Sequence, residues 1–106
     1  MRFLMLVCVD ETLGMTEADD TVEQWLAETA RRGVRVEGHQ LRGREDATTV
    51  RKEGALITDG PFADTKEWIA GYDVLDVASL EEAVEIASKH PLARFGAIEL
   101  RPFWED

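Results

Sequence analysis

Cysteine is nearly absent from this chain. Cys8 stands alone, so no intrachain disulfide can form and a cysteine-based metal cluster has no ligands. Its place inside an apolar run reads as a buried thiol packing as a small hydrophobe, ahead of a catalytic nucleophile. Long hydrophobic runs are missing too: no stretch approaches the ~20 apolar residues of a helical membrane span, and no membrane partner is expected. Positive charge is scarce, with 12 Lys and Arg against 22 Asp and Glu and a formal net charge of -10. Such a surface repels phosphates, which argues against direct nucleic-acid binding and in favour of solubility. Paired His or Cys spacings, a P-loop, a dinucleotide glycine motif and a nucleophile elbow are all lacking. Neither a metal nor a cofactor is therefore expected.

What is present suits one folded domain. Over 106 residues, 44% are hydrophobic and 32% charged, which places a single domain over 1–106 and argues against disorder. The opening Met1–Val9 lacks a small-residue cleavage site and runs directly into Asp10-Glu11. It reads as a first strand rather than an export signal, with the cytoplasm as the expected compartment.

Residues 2–9 are apolar at nearly every position after Arg2, the pattern of a strand covered on both faces. Thr16 and Asp19 resemble a capping box, and Ala18, Val22, Trp25, Leu26 and Ala30 recur at helical spacing, so one helix is expected over Thr16–Gly33. Acidic residues crowd its start and Arg31-Arg32 its end, as the helix dipole prefers, and Gly33 terminates it. Val34, Val36 and Gly38 alternate with Arg35, Glu37 and His39 to give a second strand with one polar face. Thr48–Arg51 and Ala55–Thr58 flank Lys52-Glu53-Gly54 as a β-hairpin. An extended stretch follows at Trp68-Ile69 and Tyr72–Val77, interrupted by Gly71. Ser79 and Glu82 cap a second helix whose stripe is Ala83, Val84, Ile86 and Ala87, and His90-Pro91 ends it. Ala97–Phe103 is the closing strand, with Pro102 near an edge.

The order is β-α-β, a hairpin insert, then β-α-β. This predicts an α+β, ferredoxin-like βαββαβ fold with a β-hairpin insertion, an antiparallel sheet and helices on one face. Two helices cover only one face of such a sheet, yet residues 3–9 offer water no polar face. A second copy is the economical cover, so a face-to-face homodimer is expected.

The segment Thr58-Asp59-Gly60-Pro61-Phe62-Ala63-Asp64-Thr65-Lys66-Glu67, followed by Gly71-Tyr72, resembles the signature of the YCII-related, DGPF-domain family. Thr49-Val50-Arg51, His90-Pro91 and Glu99-Leu100-Arg101-Pro102 extend the likeness over nearly the whole chain. The resemblance implies a dimeric α+β barrel built from ferredoxin-like halves. It leaves the chemistry open, because related barrels include isomerases, lyases and cofactor-free oxygenases. It also implies an association of some members with extracytoplasmic-function sigma factors. Founding members carry a histidine in or near the first helix, proposed to act with an aspartate. Thr16–Gly33 contains no histidine, so that mechanism does not transfer directly.

Candidate site residues follow from the residue types. Asp59, at a strand end, is the expected proton acceptor if a pocket desolvates it; before Gly-Pro it equally serves to fix the turn. Arg51 can bind a carboxylate bidentately or form a salt bridge. Asp10, where the first strand meets a loop, faces the same cavity or caps that loop. Phe62 lines the pocket mouth or packs over the core. Lys66, beside Glu67, orients a ligand or forms an exposed ion pair. His90 closes a helix, where its cation would suit the dipole, and is also a candidate for acid/base work or a dimer contact. His39 is a weaker candidate on the polar side of its strand. Trp25 and Trp68 read as core, and Trp104 as packing across a dimer edge.

The expected function is a small-molecule binding domain or a cofactor-independent acid/base enzyme, with a pocket between the sheet and the DGPF loop. The alternative is a non-catalytic regulatory module acting with a sigma factor, since an acidic surface suits a basic protein partner. The residues do not identify a reaction.

Overall fold

The computed structural model describes residues 1–61 and 67–105. Among them the strands are β1 (Arg2–Asp10), β2 (Arg35–Gln40), β3 (Thr48–Arg51), β4 (Leu56–Asp59), β5 (Glu67–Asp76) and β6 (Gly96–Pro102). The helices are α1 (Val22–Arg32), α2 (Leu80–Ser88) and the short α3 (Leu92–Phe95). Four strands form an antiparallel sheet in the order β2-β5-β1-β6, and β3-β4 is a separate hairpin. This is a ferredoxin-like α+β arrangement.

Alternation along β1 sets the layers. Phe3, Met5 and Val7 are buried and join Trp25, Leu75, Ala83, Ile86 and Ala87 in one core between sheet and helices. Leu4, Leu6 and Cys8, pointing the other way, are only half-buried. The chain by itself thus covers one face of β1, where the sequence suggested two. Cys8 is correspondingly half-buried, and its thiol pKa is raised by that burial and by the nearby Glu99 and Glu67 carboxylates.

The expected helix over Thr16–Gly33 is divided. The Asp19 carboxylate accepts from both the backbone N–H (3.0 Å) and the hydroxyl (2.9 Å) of Thr16, which closes a single 3₁₀ turn at Glu17–Asp19. Asp20 then leaves helical geometry and its carboxylate accepts from Val22 N–H (3.2 Å), starting α1 afresh. On α1 the buried residues are Trp25 and Thr29, with Leu26 and Ala30 exposed, so its inner face is turned from the expected stripe. Thr29 tolerates burial because its hydroxyl donates to the carbonyls of Trp25 (3.0 Å) and Leu26 (3.1 Å). Gly33 ends the helix at φ +67°, the left-handed conformation that glycine adopts without steric cost.

Capping holds at α2: Ser79 Oγ accepts from Glu82 N–H (3.1 Å), and Glu82 accepts from Ala78 N–H (3.0 Å). Ala83, Ile86 and Ala87 are buried as expected, but Val84 is exposed. Arg32 of α1 grips Glu85 of α2 with two hydrogen bonds of 3.0 and 2.9 Å. Glu85, also bonded by Lys89, has its pKa lowered to about 2 by these two partners.

Two irregularities in the sheet decide the site. The expected interruption at Gly71 is absent; β5 runs unbroken, with Val7 opposite Gly71 and Cys8 opposite Ile69, so Ala70 is the extra residue of a bulge. In β2, Arg35 lies opposite Leu75 and Glu37 opposite Val74, making Val36 a second bulge. This slip overturns the simple alternation read from Val34–His39. Val36 is exposed, while Arg35 shares the helix-side register with Gly38 and Asp73.

Candidate functional site

A cavity of about 730 Å³ opens between the helix-side face of the sheet and the segments carrying α1 and α3. Trp25, Leu26, Leu92 and Phe95 supply apolar wall; Asp10, Asp20, Arg35, Asp73 and His90 supply polar groups. This combination of apolar surface with a few convergent polar groups is typical of small-molecule pockets.

Asp73 projects inward from the middle of β5 and is 7% exposed. Arg35 Nε donates to its Oδ1 at 2.7 Å, so the buried carboxylate has a charged partner. Gly38 makes the pairing possible: a Cβ there would collide with the Asp73 carboxylate and the Arg35 guanidinium. Absence of a side chain on β2 is what lets the pair lie across that strand.

His90 is held where α2 ends. Its backbone N–H donates to the Ala87 carbonyl (3.1 Å), and Pro91 turns the chain into α3, an element the sequence did not reveal. His90 is 7% exposed, and its imidazole packs at a steep angle against the Trp25 ring, with centroids 5.0 Å apart. Leu92 N–H donates to His90 Nδ1 at 3.1 Å. Burial lowers the His90 pKa, opposed by the Asp73 and Asp20 carboxylates. Trp25 completes the wall, its indole N–H donating to the Ile86 carbonyl at 2.9 Å.

The residues singled out by sequence separate into groups. Asp10 and His90 both line this cavity. Asp10 is also tied to its loop, with Oδ1 accepting from the backbone N–H (2.9 Å) and hydroxyl (2.6 Å) of Thr12. Arg51 and Asp59 are exposed on the hairpin and do not line the cavity. The hairpin's two-stranded sheet is separate from the main one, so its strand residues share no face with the site. Phe62 and Lys66 lie outside the described residues. Trp68 is half-buried at the cavity, donating to Glu11 at 3.2 Å, and His39 sits exposed beside Tyr72 at a ring distance of 5.9 Å. Arg35 and Asp73 were not anticipated. The available signal was a carboxylate in the apolar stretch Tyr72–Val77, which calls for a cation from a neighbouring strand. Among the described residues, no group of three or more His, Cys, Asp or Glu is arranged to hold a metal ion. No helix among them is long and apolar enough to cross a membrane.

The fold and cavity define a ferredoxin-like α+β domain with a polar-lined recess beneath its helices. The chain belongs to the YCII-related domain family, whose model matches residues 1–105. An uncharacterised protein of Rhizobium meliloti (strain 1021), R00369, is 40% identical over 60 residues. That match takes in 53% of this chain and 48% of the relative, about half of its length. Among solved structures, the chain is similar to 5-chloro-2-hydroxyhydroquinone dehydrochlorinase (TftG) from Burkholderia phenoliruptrix AC1100, in complex with 2,5-dihydroxybenzoquinone. The TM-score is 0.55 at 14% identity, covering 100% of this chain and 96% of the other. At that identity the likeness concerns the fold.

Proposed function

We propose that the cavity binds a small organic molecule and that Asp73 serves there as the base, with His90 as a polar group facing the same ligand, without a cofactor. The carrying observation is the convergence of a buried, Arg35-paired carboxylate and a buried imidazole on one recess. The acid/base assignment moves from Asp59, which is exposed on the hairpin, to Asp73. A structural neighbour named as acting on a chlorinated hydroxyhydroquinone adds hydroxylated aromatics to the ligands worth testing.

Thermal shifts against small acids, lactones and hydroxylated aromatics test this reading. A ligand at ~100 times its dissociation constant stabilises the fold by about 2.7 kcal/mol, and each kcal/mol is worth roughly 4–8 °C in a domain of this size. A selective hit is expected to be lost in Asp73→Asn and kept in Asp59→Asn. The reverse pattern would restore Asp59 as the site residue. No shift with any compound would favour a protein partner, the sigma factor suggested by family resemblance among them.

The same reading includes a homodimer. The half-buried Leu4, Leu6 and Cys8 share the sheet face away from the helices, and Trp104 is 94% exposed just beyond β6. Two such faces together would form the barrel that the family resemblance implies. A dimeric mass at micromolar concentration is expected by light scattering; a monomeric mass rejects the assembly.

A further inference from the structure

We infer that His90 works as an uncharged hydrogen-bond donor through Nε2, and that the cavity is therefore built for a neutral ligand presenting a carbonyl oxygen. This rests on the pocket reading above and adds the ligand class and the direction of the hydrogen bond.

Geometry sets the tautomer. A backbone amide can only donate, so Leu92 N–H at 3.1 Å requires a lone pair on Nδ1. In the neutral ring the proton must then sit on Nε2, since one nitrogen donates and the other accepts. No described residue makes a hydrogen bond to Nε2, and His90 leaves no fully buried side-chain nitrogen without a partner. Nε2–H is thus available to whatever enters the cavity that His90 lines. Burial in contact with Trp25 disfavours the imidazolium, in keeping with the lowered pKa. A neutral imidazole of this tautomer cannot take a proton at Nε2, so the basic role falls to Asp73.

Charge around the recess selects the ligand. Among the described lining residues the cation is Arg35, which already bonds Asp73, while Asp20 adds a further carboxylate. An anion entering there meets a cation already committed to Asp73, whereas a neutral carbonyl compound needs none. Leu26, Leu92 and Phe95 offer apolar surface to the body of the ligand, while Nε2–H is given to its oxygen.

Two measurements test the inference. Imidazole nitrogen NMR of the uniformly labelled, ligand-free protein at neutral pH is expected to show Nδ1 unprotonated and Nε2 protonated in His90. The opposite tautomer overturns the donor role while leaving the pocket reading standing. Para-dimethylaminoacetophenone, an uncharged ketone whose absorption moves to longer wavelength when its oxygen accepts a hydrogen bond, then probes the site. The red shift is expected with the wild type and with His90→Gln, whose amide restores a donor. His90→Leu is expected to lose the shift and bind roughly tenfold more weakly, the scale of one net hydrogen bond. An unchanged shift in His90→Leu overturns the donor role. Failure of the ketone to bind the wild type overturns the ligand class, and if the thermal-shift panel is silent as well, the pocket reading goes with it.

Discussion

Arg35→Met is expected to lower unfolding stability by about 2–4 kcal/mol, because it strands the Asp73 carboxylate without its cation. The Asp73 side chain is 9% exposed and that of Arg35 is 28% exposed, so the cost sits toward the lower part of the range for breaking a buried pair. Asp73→Leu is expected to cost less, since the orphaned guanidinium retains access to water. The double variant should be more stable than Arg35→Met alone, as no uncompensated buried charge remains. Urea unfolding of the four proteins forms a double-mutant cycle. Strict additivity would mean that the 2.7 Å pair contributes no coupling. The same pair holds the proposed base in position, so Arg35→Met should also weaken binding of any ligand whose thermal shift depends on Asp73.

Trp25→Ala should remove roughly 3–5 kcal/mol, the cost of truncating a large buried aromatic. Trp25 is 3% exposed, belongs to the core and links α1 to α2 through the Ile86 carbonyl. Trp25→Phe keeps most of the packing and removes one of two donors to that carbonyl, which retains Lys89 N–H at 3.2 Å, so the expected loss is about 1 kcal/mol. Since whole domains are stable by only about 5–15 kcal/mol, Trp25→Ala is expected to melt far below the wild type in thermal unfolding.

Trp25→Phe also offers a titration readout. Burial is the main cause of the lowered His90 pKa, so loosening the Trp25 wall should move it upward, as followed by proton NMR. The sign for stability is set by the two end states. Unfolded, the imidazole titrates near 6.5; folded, it titrates lower. Below about pH 6.5 the unfolded chain therefore takes up a proton that the folded one resists, and stability falls with pH. A stabilising contribution on acidification would contradict the burial of a neutral ring.

Much of the architecture was legible because its signals are local. Ser79 and Glu82 mark a helix start within four residues, Gly33 a helix stop, and the apolar run after Arg2 a strand. Each reflects hydrogen bonds or side-chain periodicity that neighbouring residues settle among themselves. Asp10 and His90 could be named as candidates because they stand beside element ends, where chain direction changes. The division of the first helix was less accessible: Thr16 and Asp19 do cap, but Asp20 competes for the next free amide and restarts the helix at Val22.

Tertiary structure decided the site. Arg35 and Asp73 are 38 residues apart, and their meeting depends on the pairing of β2 with β5 and on the extra residue Val36. A one-residue slip reverses which face each side chain occupies, and nothing local to Val34–His39 announces it. Asp59 illustrates the converse: its residue type suits proton transfer, but the hairpin carrying it stands apart from the main sheet. By itself, the sequence determined elements, their order and the family, because those depend on short-range preference and composition. Convergence of Asp73, Arg35 and His90 on one recess came only with the fold, because register and burial arise from partners distant along the chain.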